Sequence, residues 1–440
     1  MKKKSIKFID LFAGLGGIRM GFEQAALELD LQVECVFTSE IKQSAIRALE
    51  ANFEHSFLAG DITKVPSSEI PEFNILLAGF PCQAFSVAGK QKGFVDTRGT
   101  LFFEIERILK DKKPFGFILE NVEGLVNHDK ENRGDKIGKT LSVILDSLSQ
   151  NYKITYKVLD SKDFGVPQTR KRIFIVGTLK KKISLEDFPV KRKNVKTILE
   201  RNKKTIDNEF TKKVLKHFKP NELHGKFIKD KRGGEKNIHS WDIGIRGEVN
   251  NEEKELLNLL FKERRKKHWA SEIGINWMDG MPLTKNQIAT FYTKKNLDKL
   301  LVSLTDKGYL TLEHPKKRAL VNSSNPNTTS IAFERIPDTS KPKGYNITSG
   351  KLSFPFSHFL NPKDIAPTLV AMDMDTIGVI DGKGIRNITM REGLRLFGFP
   401  DEYDLGFFSE SEIKKVYDLL GNSVCVPVVK QISKRLLASI

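Results

Sequence analysis

The 440-residue sequence contains no apolar run of about 18 residues or more, so no membrane-crossing helix is expected. It has only three cysteines, Cys35, Cys82 and Cys425, and they lie far apart. That spacing offers neither a disulfide framework nor a zinc pattern, so no metal is expected and a reducing, cytoplasmic setting follows. The N-terminal MKKKSIKF is basic, but the apolar stretch behind it is short, contains Asp10 and several glycines, and does not read as a signal peptide. Acid is also scarce. There are 55 Asp+Glu against 73 Lys+Arg, a formal net charge of +18. A basic excess of this size points to a polyanionic partner, nucleic acid first, although a merely soluble lysine-rich protein would carry the same charge. Its distribution favours the partner. Between Lys180 and Ala270 there are 26 Lys+Arg and 14 Asp+Glu, so most of the excess sits in one middle stretch.

What is present is 39% hydrophobic residues, enough for two domains with a sizeable core. The first part alternates short apolar strands with helical patterns. Lys7–Leu11, Val33–Thr38, Asn74–Ala78, Phe115–Leu119 and Ile173–Gly177 read as strands. Leu101, Phe102, Ile105, Ile108 and Leu109 recur at helical spacing. This rhythm predicts an α/β fold, a parallel sheet with helices on both faces, and ligands beyond the carboxyl ends of its strands. After about Thr178 the chain becomes Lys-rich and irregular. Within it Glu252–Lys267, Thr284–Phe291 and Asn296–Asp306 look helical. GYLTLEHPKKRAL reads as a strand, a turn at His314–Lys317 and a returning strand, so a winged-helix-like element is expected at about 252–321. The final segment reads as a helix that docks back on the first domain. The expected division is a catalytic domain of 1–185 with 402–440 and a smaller basic domain of 186–401.

Several segments carry chemistry. DLFAGLGG, Asp10–Gly17, is a glycine turn between a strand and a helix, where the backbone can approach a ligand closely. Glu40 follows the second strand and suits ribose hydroxyls. Asp61 of GDIT stands where a third strand would end and suits an adenine amino group. Either acid alone reads as a surface carboxylate or helix cap. No phosphate-binding feature is visible, so an adenosyl ligand without phosphates fits better than a dinucleotide. LLAGFPCQAFSVAG runs from a buried strand into Pro81-Cys82, which presents a thiol at a strand's carboxyl end. The commonest fate of a free cysteine is to be a small buried hydrophobe, and Cys35 and Cys425 suit it better. ILENV puts Glu120 at another strand end, where desolvation would raise its pKa and let it donate a proton, with Asn121 helping to position it. In DFGVPQTRKRIFIVG, Gln168, Arg170 and Arg172 share one face of an extended chain. Arginine forks suit carbonyl and phosphate oxygens, although an edge strand guarded by charge would look the same.

Taken together and in this order, DLFAGLGG, GDIT, GFPCQAFS, GKQKGF-DTRGTLFFEI, ENV, QTRKR, RNITMRE-LRLFGFP and GNSVCVPV closely resemble the DNA (cytosine-5) methyltransferases. The match covers about 185 N-terminal residues and about the last 55, and it looks especially like small bacterial members from restriction–modification systems. The resemblance implies a Rossmann-like S-adenosylmethionine-dependent domain with a second, target-recognition domain. It gives Cys82 the attack on cytosine C6, Glu120 the contact to N3 and Arg172 the contact to O2, with Arg170 in the same network. It maps the methyl-donor pocket to Phe12, Gly14, Gly17, Glu40, Asp61, Ile62, Pro81 and Leu101, closed by Asn422 and Val424. Arg386 would brace the recognition domain. Two positions depart from the family. Ile41 stands where many relatives carry an aromatic residue, and Ala88 where close relatives often carry serine.

The implied reaction needs the cytosine flipped out of the duplex. The loop after Cys82, through Gly89, Lys90, Gln91, Gly93 and Arg98, is expected to close over it. The middle region would contact phosphates and base edges of double-stranded DNA. A monomer is expected, with a cognate restriction endonuclease acting on the same site but forming no stable complex. A tRNA cytosine-5 methyltransferase and a non-catalytic DNA-binding relative remain as alternatives. The target sequence does not map by motif.

Overall fold

The computed structural model describes residues 5–54, 57–80, 101–130, 132, 134–230, 233–276, 278, 280–321, 332–348 and 354–440. The chain divides into two units, Met1–Arg201 with Leu360–Asp375 and Ile388–Ile440, and Asn202–Phe359 with Thr376–Asn387. No described helix is long and apolar enough to cross a membrane.

The first unit is built on strands β1 (Ile6–Leu11), β2 (Val33–Ser39), β3 (Leu58–Ala59), β4 (Ile75–Gly79), β5 (Gly116–Val122), β6 (Lys153–Asp160) and β7 (Lys171–Thr178). They form one sheet in the order β3-β2-β1-β4-β5-β7-β6. Helices α1 (Gly17–Glu28), α2 (Gln43–Asn52), α3 (Leu101–Lys112) and α4 (Lys139–Ser149) connect them. The central strands are continuous apolar runs because both of their faces are covered. Ile9, Leu11, Leu76, Ala78, Phe117 and Leu119 bury one face with Phe102, Ile105 and Ile108 of α3. On α1, Gly21 meets the C-terminal helix Val426–Leu437 so closely that an added Cβ would lie 2.7 Å from Val429 Cβ.

One detail departs from the all-parallel expectation. β7 runs antiparallel to both β5 and β6. The linker from β6 to β7 holds only the short turn Ser161–Asp163, too little chain for the crossover that a parallel neighbour requires. The strand order reverses between β1 and β4, so the carboxyl ends of these two strands form the natural ligand crevice.

The first unit also takes in residues 360–375 and 388–401, beyond the boundaries expected from the sequence. Gln168 and Arg170 explain why. Gln168 Nε2 donates to the Leu396 carbonyl at 2.9 Å, and its Oε1 accepts from Leu369 N at 3.2 Å. Arg170 donates to the carbonyls of Leu369 and Gly421 at 2.9 and 2.8 Å.

The second unit holds a five-stranded sheet of Phe227–Ile228, Asn237–Ile238, His358–Phe359, Ile377–Asp381 and Gly384–Asn387. Its main helices are Glu209–His217, Asn251–Glu263, Lys285–Phe291 and Leu297–Asp306. Asn250 and Thr284 start two of them through capping boxes with Glu253 and Gln287. Leu256, Leu257, Leu260, Leu300, Leu301 and Leu304 recur at helical spacing and pack together. Arg386 is buried and ion-paired to Asp381 at 2.9 Å, which fixes the hairpin of the last two strands. The wing hairpin expected at 309–321 does not form. Leu310–Glu313 pairs with Gly344–Ile347, and Lys316–Val321 pairs with Ala332–Pro337. Only His314 and Pro315 separate the two segments, and proline's fixed negative φ cannot enter the type I′ turn that a two-residue hairpin prefers.

Candidate active site

A cleft of about 670 Å³ opens at the carboxyl ends of the strands in the first unit. Its described lining brings together Phe12, Gly14, Glu40, Asp61, Ile62, Leu101, Glu120, Arg172 and Asn422, nine of the fourteen candidates from sequence. Pro81 and Cys82 lie outside the described residues, as does the loop from Gly89 to Arg98. Gly17 and Val424 stand behind the wall, against each other: a Cβ on Gly17 would lie 3.0 Å from Val424 Cγ1. Arg170 is buried away from the cleft at 2% exposure, with its guanidinium over the Phe397 ring.

The adenosyl end is built by the turn after β1. Phe12, Gly14 and Gly16 all have positive φ, at 58°, 55° and 67°. For Phe12 this is a costly conformation, held here where the backbone meets the cleft. Glu40 is locked by three backbone N–H groups. Gly14 N donates to Oε2 and the amides of Ile41 and Lys42 to Oε1, all at 2.8 Å. A carboxylate has about four acceptor positions, so this grip leaves about one free to accept from a ribose hydroxyl. Asp61 accepts from Thr63 N and Oγ1 at 3.1 and 2.8 Å, and the Thr63 hydroxyl holds its carboxyl below the usual range. Two cationic side chains line the described cleft, and each meets a carboxylate: Lys42 pairs with Asp418, and Arg172 with Glu120. Among the described residues the cleft therefore presents no unanswered cation for a phosphate, and its carboxylates can accept from a neutral ribose and adenine.

The other end is polar and tight. Arg172 Nε lies 2.9 Å from Glu120 Oε1. Burial pushes the Glu120 carboxyl up, opposed by the charges of Arg172 and Arg170. Asn121, expected to position Glu120, turns elsewhere. Its Nδ2 donates to the Phe80 carbonyl at 3.2 Å, which anchors the strand end just before Pro81. The two described thiols are unsuited to nucleophilic work. Burial pushes Cys35 up to about 11 and raises Cys425 as well.

Sequence reasoning missed four participants, Lys42, Asp418, Tyr403 and Asp10. Lys42 and Asn422 both meet Asp418, which joins two walls of the cleft; Asn422 Nδ2 donates to Asp418 Oδ1 at 3.1 Å. Tyr403 donates its hydroxyl to the Leu15 carbonyl at 2.7 Å, inside the glycine turn. Asp10, next to last in β1, has both oxygens buried and unpartnered among the described residues, and burial pushes its carboxyl up to about 8. Only Asp10, lodged in the glycine motif, carried a sequence signal.

A family model described as C-5 cytosine-specific DNA methylase matches residues 6–438. Among curated proteins, the type II methyltransferase M.NlaIV of Neisseria lactamica is 57% identical over 435 residues, 99% of each chain. M.NgoBV of Neisseria gonorrhoeae, also a type II methyltransferase, is 55% identical over 437 residues, again 99% of each. Among solved structures, the Entamoeba histolytica methyltransferase EhMeth is similar over 99% of each chain with a TM-score of 0.51 at 16% identity, a likeness of fold.

Proposed function

The chain belongs to the C-5 cytosine-specific DNA methylase family, and from that premise we propose that Glu120 and Arg172 grip the neighbouring N3 and O2 of one cytosine while Cys82 attacks its C6. The enzyme is a DNA (cytosine-5-)-methyltransferase. The observation that carries the residue assignment is the buried Glu120–Arg172 pair in the same cleft as the locked Glu40.

The cytosine ring resists methylation because C5 is a weak nucleophile. Attack by the Cys82 thiolate forms a sulfur–C6 bond and moves electron density to C5. Glu120, whose carboxyl burial pushes up, donates a proton at N3. Arg172 donates to O2, where negative charge gathers. S-adenosylmethionine supplies an electrophilic methyl group, and Glu40, Asp61, Phe12 and Asn422 would hold it. C5 takes the methyl and then loses its proton to solvent. The C6–sulfur bond breaks and N3 returns its proton to Glu120, which restores aromaticity and regenerates the thiolate and the acid. Arg170 acts through the backbone it holds, keeping Gly421 and hence Asn422 against the cleft. Cys82 needs a ring face that duplex stacking hides, so the base leaves the stack at a cost of a few kcal/mol.

The second unit reads the target sequence, and the enzyme works as a monomer that protects host DNA from a separate endonuclease of the same specificity. Expression in a methylation-free host followed by bisulfite sequencing tests this reading. It predicts 5-methylcytosine at one recurring DNA sequence. Unmodified DNA together with methylated tRNA would refute it.

A further inference from the structure

Among the described residues of the second unit, the strands Lys316–Val321 and Ala332–Pro337 pair only with each other and form an antiparallel two-stranded ribbon apart from the five-stranded sheet. Water reaches it from both sides, since residues 316–318 and 334–337 are all exposed. A ribbon with neither face covered is marginal by itself, so repulsion between its strands is costly. This ribbon nevertheless sets two arginines against each other. Arg318 and Arg335 are directly opposed in the third of the six residue pairs. Opposed partners share a face with their Cβ atoms about 5 Å apart, and like charges placed so weaken the pairing. Lys316, two residues from Arg318, adds a third cation to the same face. The two strands carry a single acid, Glu334, which opposes Ala319 and therefore lies on the other face. Lys317 is on that other face too, and it reaches Asp338 at 3.3 Å. Among the described residues none of Lys316, Arg318 and Arg335 meets a carboxylate, although ion pairs answer other cations of this unit, Lys254 to Asp242 and Lys307 to Glu253 among them. A strand pair that concentrates unanswered cations on one exposed face is complementary to a polyanion.

We propose that this ribbon lies in the major groove of the bound duplex and that Arg318 and Arg335 read guanine there. The proposal rests on the second unit being the part that reads the target. The major groove, about 12 Å wide, admits a two-stranded ribbon. A guanidinium fork matches O6 and N7 of guanine. Neighbouring base pairs stack about 3.4 Å apart, within reach of two arginines rooted about 5 Å apart. The arginine pair sits in the middle of the ribbon, where base edges are met, and Lys316 at its end, where a flexible point charge suits a phosphate. Arg318 and Arg335 thus determine specificity, and Lys316 contributes affinity.

The variants are Arg318→Ala and Arg335→Ala, each first checked for an unchanged melting temperature and S-adenosylmethionine affinity. Bisulfite sequencing gives the recurring site of the wild type, and duplexes carrying that site are made with 7-deazaguanine, which lacks the N7 acceptor, at each guanine in turn. Fluorescence anisotropy should show wild-type affinity falling several-fold at one or two of these guanines. Each variant should bind the unmodified duplex about tenfold more weakly and show no further fall on its matching 7-deaza duplex. Its methylation should spread to sequences that differ at that guanine, while its log–log salt slope stays near the wild-type value. Losses that add on every 7-deaza duplex, with the slope reduced by about one per arginine and the methylation pattern unchanged, would show phosphate contacts alone and overturn the proposal. So would variants that match the wild type in affinity and pattern, which would leave the arginines as charges that keep exposed strands from aggregating. Failure of the underlying reading looks different, because the wild type itself would then methylate DNA at no recurring sequence.

Discussion

Gly21→Ala should destabilise this enzyme even though alanine is the better helix former. Gly21 lies inside the helix Gly17–Glu28, where exchange to alanine is ordinarily worth about 1 kcal/mol in favour of folding. Here a Cβ would lie 2.7 Å from Val429 Cβ, 2.8 Å from the Val426 carbonyl oxygen and 3.0 Å from Lys430 N. Two of the three neighbours are backbone atoms, so no rotamer change relieves the clash, and the two helices must part by about 1 Å. Overpacking of this kind costs about 1–3 kcal/mol. The net effect is about 1 kcal/mol of destabilisation, read as a drop of a few degrees in melting temperature. Function should follow. Val426 begins the C-terminal helix just past Asn422-Ser423-Val424-Cys425, so parting the helices draws Asn422 back from the cleft. Isothermal titration should show S-adenosylmethionine affinity falling several-fold, with duplex affinity unchanged. A variant at least as stable as the wild type, with undiminished donor affinity, would refute this account of the packing.

Three further outcomes follow from the site. Asp10 is protonated in the folded enzyme until about pH 8 but ionises near 4 when unfolded, so the folded state holds the extra proton and stability falls as pH rises between these values. Asp10→Asn should flatten that part of the melting-temperature profile, and an unaltered slope would count against a buried neutral acid. Tyr403→Phe keeps the ring contacts with Phe53 and Phe399 but strips the hydrogen bond from Leu15, and should raise KM for the donor several-fold with KM for DNA unchanged. Equal effects on both substrates would remove its link to the glycine turn. Glu120→Gln should lower kcat by about 10²–10⁴ while duplex binding persists, because the amide fills the space without supplying the proton. A near-normal kcat in stopped assays would exclude Glu120 as the donor to N3.

The sequence revealed most where a local signal and a chemical need coincided. β1 and β4 are apolar runs ending in glycine turns, legible because their burial is continuous and the turn residues abrupt. β6 escaped notice because KITYKVLD, at the sheet edge, interleaves lysine and tyrosine with its apolar side chains. Gln168 and Arg170 lie ahead of β7, and of the three side chains grouped by their spacing only Arg172 lines the cleft. The carbonyls that claim the other two come from residues near 369, 396 and 421, and no local pattern announces a partner some 200 positions away. The same limit hid Lys42 with Asp418 and Tyr403 with Leu15. The supposed wing failed for a related reason. Two strand-like segments close in sequence suggest a hairpin, while each pairs with a strand more distant in the chain.

The central claim is that Cys82 forms a transient covalent bond to a cytosine held by Glu120 and Arg172. Replacing the target cytosine with 5-fluorocytosine blocks the final loss of the C5 substituent and traps that bond. With S-adenosylmethionine present, the wild-type enzyme should give a DNA adduct that survives denaturing electrophoresis, whereas Cys82→Ser should bind DNA and donor yet give none. An adduct that forms with Cys82→Ser, or a wild-type enzyme that methylates cytosine without ever trapping, would contradict the mechanism.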